Sequence, residues 1–192
     1  MDADVNDLEI RKAAARKAAF ARRKVAFDAG DNGIGAARLQ EVLEPYAGQT
    51  IAGYMPIRSE INPLPAMTAL AAQGDVTVPV IEAAGKPLKF SKWTPDCEMV
   101  DGPFGARVPA RGLYLEPTVL IVPLVAFSRA GGRLGYGGGF YDRSLEGLRA
   151  MRPTIAIGFA FAAQEAADLP LEQTDQPLDL IVTEAEVIDL RS

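Results

Sequence analysis

A chain of 192 residues, 48% of them apolar, is long enough to enclose a substantial core and too apolar to be disordered as a whole. Its formal net charge of −5 argues against general nucleic-acid binding, while leaving room for a local basic pocket for an anionic ligand. There is no histidine and a single cysteine, Cys97, which excludes imidazole-based triads, a disulfide framework and cysteine-based zinc sites. Any chemistry must come from Lys, Arg, Tyr, carboxylates, backbone or a metal. The first residues, Met1-Asp-Ala-Asp4, lack the apolar core of a secretory leader, and no apolar run approaches membrane-spanning length. A cytoplasmic setting is therefore expected.

From Glu9 to about Ala29 the chain is rich in Ala, Arg and Lys and free of Pro and Gly, which predicts a helix. Asp7 is the expected cap, and Asp28 to Asn32 with Gly30 and Gly33 is the expected end. Ile10, Ala14, Phe20 and Phe27 supply its apolar side. Lys12 and Arg16, four residues apart, leave one helix face together. They either clamp a polyphosphate or form a solvated basic face. Arg22, Arg23 and Lys24 read as surface charge.

Ile34 to Tyr46 predicts a second helix that buries Leu39, Val42 and Leu43. Thr50 to Pro56 reads as the first core strand and runs into Ile57-Arg58-Ser59-Glu60. In open α/β sheets ligands sit beyond the carboxyl ends of strands. Glu60 is thus placed to accept N–H groups from a polar ring such as a pterin, or else caps a helix. Leu64 to Gln73 predicts a helix with Pro65 in its first turn. Val76 to Ile81 predicts a second strand, with Pro79 marking an edge or a strand end. Leu88-Lys89-Phe90 begins a short strand that ends near Trp93. Thr94 to Glu116, broken by Pro95, Gly102, Pro103, Gly105, Pro109 and Gly112, reads as a long irregular loop of the kind that is often functional. Trp93 and Phe104 either stack on a flat ligand or pack in the core.

The densest signal comes next. Thr118 to Pro123 reads as a buried strand, and Leu145, Leu148 and Met151 mark one face of a helix. Between them lies Gly131-Gly132-Arg133-Leu134-Gly135-Tyr136-Gly137-Gly138-Gly139-Phe140-Tyr141-Asp142-Arg143. Glycines let backbone N–H groups approach an anion, and a helix N-terminus adds the positive end of a dipole. Arg133 and Arg143 add fixed charge, and Asp142 offers a hard oxygen of the kind magnesium needs. A Walker A loop would end in Gly-Lys-Ser/Thr, and a dinucleotide fingerprint would have glycine where Phe140 stands. The competing reading is a flexible turn with nothing bound. Farther on, Pro153 to Phe159 predicts a strand, Ala162 to Asp168 a short helix, and Leu178 to Glu184 a final strand. Asp179 lies just inside that apolar run, where a carboxylate needs a partner or a metal. Strands alternating with helices predict an α/β fold: a mostly parallel sheet covered by helices on both faces, a three-layer α/β/α sandwich in a single domain spanning 1–192.

The stretch from Arg133 to Arg143, preceded by Pro123-Leu-Val-Ala-Phe127, resembles the signature of 5-formyltetrahydrofolate cyclo-ligases, also called 5,10-methenyltetrahydrofolate synthetases. The resemblance runs from Lys12 to Glu184. Lys12-Ala-Ala-Ala-Arg16 matches a Lys-x-x-x-Arg that contacts ATP in that family. Met55 and Glu60 align with an apolar residue and a glutamate of its folate site. Thr174-Asp175-Gln-Pro-Leu-Asp179-Leu-Ile-Val-Thr183-Glu184 matches a family pattern, with Thr174 where histidine is common and Asp179 aligned with a magnesium-associated acid. The usual acidic residue is missing from Gly105-Ala-Arg107-Val-Pro109.

The resemblance implies an ATP- and magnesium-dependent enzyme that converts 5-formyltetrahydrofolate to 5,10-methenyltetrahydrofolate, releasing ADP and phosphate. It implies ATP binding by Lys12, Arg16, Arg133, Leu134, Gly135, Tyr136, Gly137, Gly138, Gly139, Phe140 and Tyr141. Folate would meet Met55, Glu60, Tyr136, Gly137, Gly138, Gly139 and Phe140. Lys12, Arg133 and Tyr141 would act in catalysis, and Asp142 and Asp179 would hold Mg2+. The protein is expected to act as a monomer on these small molecules, without nucleic acid or membrane. Two other readings stand beside it: a non-catalytic folate- or nucleotide-binding protein on the same scaffold, and a nucleotide-dependent oxidoreductase using the glycine loop.

Overall fold

The computed structural model describes residues 2–191. Its first element, α1 (Asp2–Ala29), is an unbroken helix, and Gly30 ends it in the left-handed region at φ 71°, where a residue without Cβ is favoured. After α2 (Ile34–Leu43) and a 3₁₀ turn over Glu44–Tyr46 come β1 (Ile51–Ala52), α3 (Leu64–Ala71), β2 (Val76–Val80) and β3 (Lys89–Trp93). A hairpin follows, β4 (Met99–Asp101) and β5 (Arg107–Pro109), then the central strand β6 (Val119–Pro123). Two short antiparallel strands, β7 (Ala126–Phe127) and β8 (Arg133–Leu134), lead through the glycine loop to α4 (Phe140–Met151). The chain closes with β9 (Ile155–Phe159), β10 (Leu180–Val182) and β11 (Val187–Asp189).

The main sheet has seven strands in the order β11-β10-β9-β6-β1-β2-β3. The five inner strands are parallel, and β11 and β3 run antiparallel at the edges. The centre is β6 against β9, in register from Val119↔Ile155 to Pro123↔Phe159. Both strands are nearly all apolar, as strands covered on both faces must be. On one face α2 and α3 contribute Leu39, Leu43, Met67 and Leu70 to a core with Val76, Val119, Ile121 and Ile157. On the other, Leu145 and Leu148 of α4 pack on Leu120, Val122, Ala156 and Ile181. A third cluster joins Ala19 of α1 to Val125, Ala126, Leu134 and Leu169, just past the carboxyl end of β6. The expected α/β sandwich is present, with α1 laid over its carboxyl edge. Among the described residues no helix is long and apolar enough to cross a membrane.

Several local expectations are corrected. The helix starts before Asp7, so Asp7 lies inside α1 and caps nothing. Ile10, Ala14 and Phe27 are exposed, whereas Lys12, Ala19 and Arg23 are buried. The inward face of α1 therefore carries charge, because what it covers includes polar groups as well as core. Arg23, read as surface charge, is only 1% exposed. Pro79 does not mark an edge: β2 lies between β1 and β3, and Pro79 sits past the β1 pairing, near the strand end. The loop after Trp93 contains the β4–β5 hairpin. Trp93 itself is a core residue.

The helix expected at 162–168 is a single 3₁₀ turn over Ala162–Gln164. Gln164 is buried there, donating from Nε2 to the carbonyls of Leu124 and Val125 and accepting the Phe161 N–H. Edge strand β11 has no counterpart in the sequence-based expectations.

Asp179 is a structural residue. It sits at the amino end of β10, accepts the Ala156 N–H at 2.7 Å, and is ion-paired with Arg149 near the end of α4 at 2.8 Å. The metal role expected for it is withdrawn, since its carboxylate lies at the opposite end of the parallel strands from their ligand-binding edge. Asp179→Ala is expected to lower stability by about 1.5–3 kcal/mol, the usual worth of hydrogen bonds to a charged group. The urea midpoint should fall with an unchanged slope.

Candidate active site

Beyond the carboxyl ends of the parallel strands lies a cavity of about 650 Å3. Apart from Asp179, every site residue expected from the sequence lines it: Lys12, Arg16, Met55, Glu60 and the run from Arg133 to Asp142. Phe104 reaches its rim from the turn between β4 and β5. That residue is 68% exposed, holds φ 61°, and meets Phe140 edge-on with ring centroids 5.9 Å apart. Arg58, Glu172, Thr174 and Asp175 also line the cavity.

Part of the lining is cationic. Lys12 is 6% exposed and ion-paired with Glu172. Arg16 donates from Nε to the Gly135 carbonyl at 2.8 Å, so helix α1 grips the glycine loop directly. Arg133 is 7% exposed and donates from Nη2 to Asp142 Oδ1 at 2.6 Å, and its Nε is buried without a partner. Gly137 at φ 101° and Gly139 at φ 65° turn the loop in ways other residues resist. Such turns gather successive N–H groups into an anion-binding concavity. Gly139 is the N-cap of α4 and offers no side-chain cap, so the first-turn amides of that helix keep their capacity for an anion.

Asp142 is the carboxylate of the loop. Its two hydrogen bonds, from Arg133 and from the Gln176 N–H at 2.9 Å, both fall on Oδ1. Oδ2 takes no donor from the described residues. A single hard oxygen of this kind, with phosphate oxygens and waters completing the shell, suits Mg2+, which seldom uses an all-protein cage. The described residues hold no cluster of three metal-ligating side chains.

The lining also has an aromatic and apolar part with a buried acid: Met55, Ile57, Tyr136 and Phe140 line the cavity together with Glu60, which is 5% exposed. The Glu60 carboxylate is held from both ends. Oε2 accepts the Ile57 N–H at 2.8 Å, and Oε1 accepts the Tyr136 hydroxyl at 3.0 Å. Burial raises its pKa above the ordinary carboxylate value. The Ile57 N–H, the Tyr136 hydroxyl and the Arg23 and Arg58 guanidinium groups oppose that rise. Tyr136 is pushed up to about 12, chiefly by burial and then by Glu60. Tyr141 is pushed up still farther by burial, and its buried hydroxyl has no partner among the described residues. Both phenols therefore stay protonated and serve as neutral hydrogen-bond groups.

Sequence reasoning missed Arg23, Arg58 and Glu172. Arg23 follows Lys12, Arg16 and Ala19 at helical spacing, so a search for one recurring face would have found it. Arg58 stands two residues before Glu60, in the turn that follows β1. Glu172 carries no sequence signal, because its meeting with Lys12 spans 160 positions.

The arrangement can hold a polyanion and a flat ring within one cavity. It has no histidine to shuttle protons and no nucleophilic cysteine on its lining. The model of the 5-formyltetrahydrofolate cyclo-ligase family matches residues 7–184. The 5-formyltetrahydrofolate cyclo-ligase of Haemophilus influenzae is 34% identical over 73% of this chain and 79% of its own. That of Escherichia coli is 34% identical over 72% and 79%. The NMR structure of the Aquifex aeolicus 5,10-methenyltetrahydrofolate synthetase superposes with a TM-score of 0.76, covering 94% of this chain and 93% of that one at 26% identity. With a family model spanning nearly its whole length and relatives this similar over most of theirs, the chain belongs to the 5-formyltetrahydrofolate cyclo-ligase family.

Proposed function

We propose that the cavity binds 5-formyltetrahydrofolate and ATP side by side and closes the ring to 5,10-methenyltetrahydrofolate, releasing ADP and phosphate. The observation that carries this reading is one cavity lined both by cations, Lys12, Arg16 and Arg133, and by Met55, Glu60, Tyr136 and Phe140, with the glycine loop running through the lining.

The chemistry follows from the substrate. A formyl group on nitrogen is an amide, and its oxygen is a poor leaving group. Transfer of the γ-phosphoryl to that oxygen makes it a good one. N10 then attacks the activated carbon, the C–O bond breaks, and phosphate departs with the former formyl oxygen. Phosphoryl transfer asks the protein for alignment and charge neutralisation more than for covalent help.

Lys12, Arg16 and Arg133 neutralise the polyphosphate, and the amides from Gly135 to Gly139 cradle the phosphoryl in flight. Leu134, Tyr136, Phe140 and Tyr141 complete the nucleotide side. Asp142 would hold magnesium. Mg2+, when bound, screens the phosphate oxygens against the incoming nucleophile. Tyr141 offers its unpartnered hydroxyl as a neutral donor beside Arg133, whose guanidinium carbon lies 5.8 Å from the Tyr141 ring centroid. Met55 and Phe140 wall the folate, and Glu60 accepts N–H groups from its ring. The reading takes the chain to work as a cytoplasmic monomer without nucleic acid.

Methenyl product absorbs light, so a spectrophotometric assay with 5-formyltetrahydrofolate, ATP and magnesium tests the reaction. A chain that binds both ligands yet forms no product would sink the proposal. Arg133→Ala should abolish ATP-dependent turnover while circular dichroism shows a folded protein; unchanged turnover would remove Arg133 from the mechanism. Glu172→Gln should lower the KM for ATP by about two- to fivefold, the worth of a half-exposed ion pair that nucleotide otherwise has to displace from Lys12.

A further inference from the structure

We infer that Arg23 is a positioning residue for substrate recognition: acting through the Tyr136 hydroxyl, it fixes Glu60 as an anionic acceptor aimed at a ring that presents adjacent N–H donors. The inference rests on the reading that Glu60 meets the folate ring, and adds to it the device that sets the acid in place.

The burial of Arg23 is improbable for a lone guanidinium. Arg23 belongs to a helix rich in alanine, where an apolar side chain would pack without cost, yet it is 1% exposed. A buried guanidinium is retained only when its donors are used. Nε donates to Ser59 Oγ at 3.0 Å, while Nη1 and Nη2 both donate to the Tyr136 hydroxyl, at 3.0 and 3.1 Å. No carboxylate among the described residues forms an ion pair with it. The Tyr136 hydroxyl has one proton, and with its oxygen taken by Arg23 that proton goes to Glu60 Oε1. The relay therefore has a fixed direction, from cation through phenol to carboxylate.

The ring of Tyr136 is held as well as its hydroxyl. The Arg23 guanidinium carbon lies 5.7 Å from its centroid, that of Arg58 lies 5.8 Å away, and Phe20 packs at 5.6 Å. Tyr136 stands between Gly135 and Gly137, in a segment with much backbone freedom. Holding the ring keeps the Tyr136 hydroxyl against Glu60 Oε1. Each oxygen of Glu60 accepts one protein donor, which leaves each with capacity for a second. Two parallel acceptors of this kind match two neighbouring N–H groups on a heterocycle.

The groups facing Glu60 are Arg23 from α1, Arg58 from its own turn, Tyr54 beyond β1, Tyr136 from the glycine loop and Tyr141 from α4. Burial already favours the protonated acid, and Arg23 and Arg58 are the cations that oppose it. Loss of Arg23 moves Glu60 toward protonation, so binding of the folate fails at a higher pH than before.

The test compares Arg23→Met, Arg23→Lys, Tyr136→Phe and Glu60→Gln, with KM measured separately for 5-formyltetrahydrofolate and ATP and with kcat/KM for the folate followed across pH. Arg23→Met should raise the folate KM about tenfold or more, the worth of a hydrogen bond to a charged group, with the ATP KM within about twofold. It should also move the acidic limb of the profile upward, with Arg23→Lys restoring part of both. Tyr136→Phe removes only the relaying hydroxyl, so it keeps the test open if Arg23→Met does not fold, and it should shift the folate KM in the same direction.

If Glu60→Gln raises the folate KM while Tyr136→Phe and a folded Arg23→Met leave it and the acidic limb where they were, the inference is wrong. Equal loss toward both substrates from Arg23→Met would also overturn it, by making the residue merely structural. No effect of Glu60→Gln would instead remove the underlying assignment of Glu60.

Discussion

The site depends on the ion pair between Arg133 and Asp142. Arg133 ends up on β8 and Asp142 in the first turn of α4, with the glycine loop strung between them. A run of glycines has more conformational freedom to lose than any other sequence of its length, and nothing in its own chemistry selects one shape. Tying its two ends together at 2.6 Å, with the Asp142 carboxylate further held by the Gln176 N–H, removes most of that freedom. Arg16 then takes the carbonyl of Gly135, and Tyr136 is fixed from the side. A flexible sequence thereby becomes a rigid concavity. The pair is only partly exposed, so breaking it leaves a stranded charge as well as a loose loop.

Helix α1 shows how a functional face differs from a packing face. A helix laid on a core has an apolar stripe toward the protein. The inward stripe of α1 mixes Ala15 and Ala19 with Lys12, Arg16 and Arg23. Small side chains bring the helix close to β7 and β8, and long cationic ones reach past them into the polar cavity. The apolar residues expected to face inward, Ile10 and Phe27, lie largely outside. Seating the helix is the work of the alanines; completing the site falls to the cations.

The order of strands and helices could be read from the sequence because a doubly covered parallel sheet writes itself as short apolar runs such as Val119–Val122 and Ile155–Phe159. The glycine loop could be read because its residues are contiguous. What could not be read depends on partners distant in sequence. Asp179 in an apolar run calls equally for a cation or a metal, and only the fold brings Arg149 to it. Arg23 looks like its neighbours Arg22 and Lys24 until the helix is docked and one of the three turns inward. Gln164 looks like a solvent-facing amide, yet it ties down two core carbonyls. Polar residues are the hard ones, since the same side chain serves solvent, structure or ligand, and the neighbours decide.

The pairing of Lys12 with Glu172 carries a consequence for how the protein is made. These partners are 160 positions apart, and Arg16 reaches across 119 to Gly135. On a ribosome the cations emerge first and wait for almost the whole chain before the carboxylate that covers one of them exists. A truncated product would thus display unmatched positive charge without the pocket that gives it a use, and would bind polyanions indiscriminately. Closing contacts of such long range come late in folding because of their entropic cost. Competence for ATP is therefore acquired late by the nascent protein, since it waits on a residue 160 positions beyond Lys12.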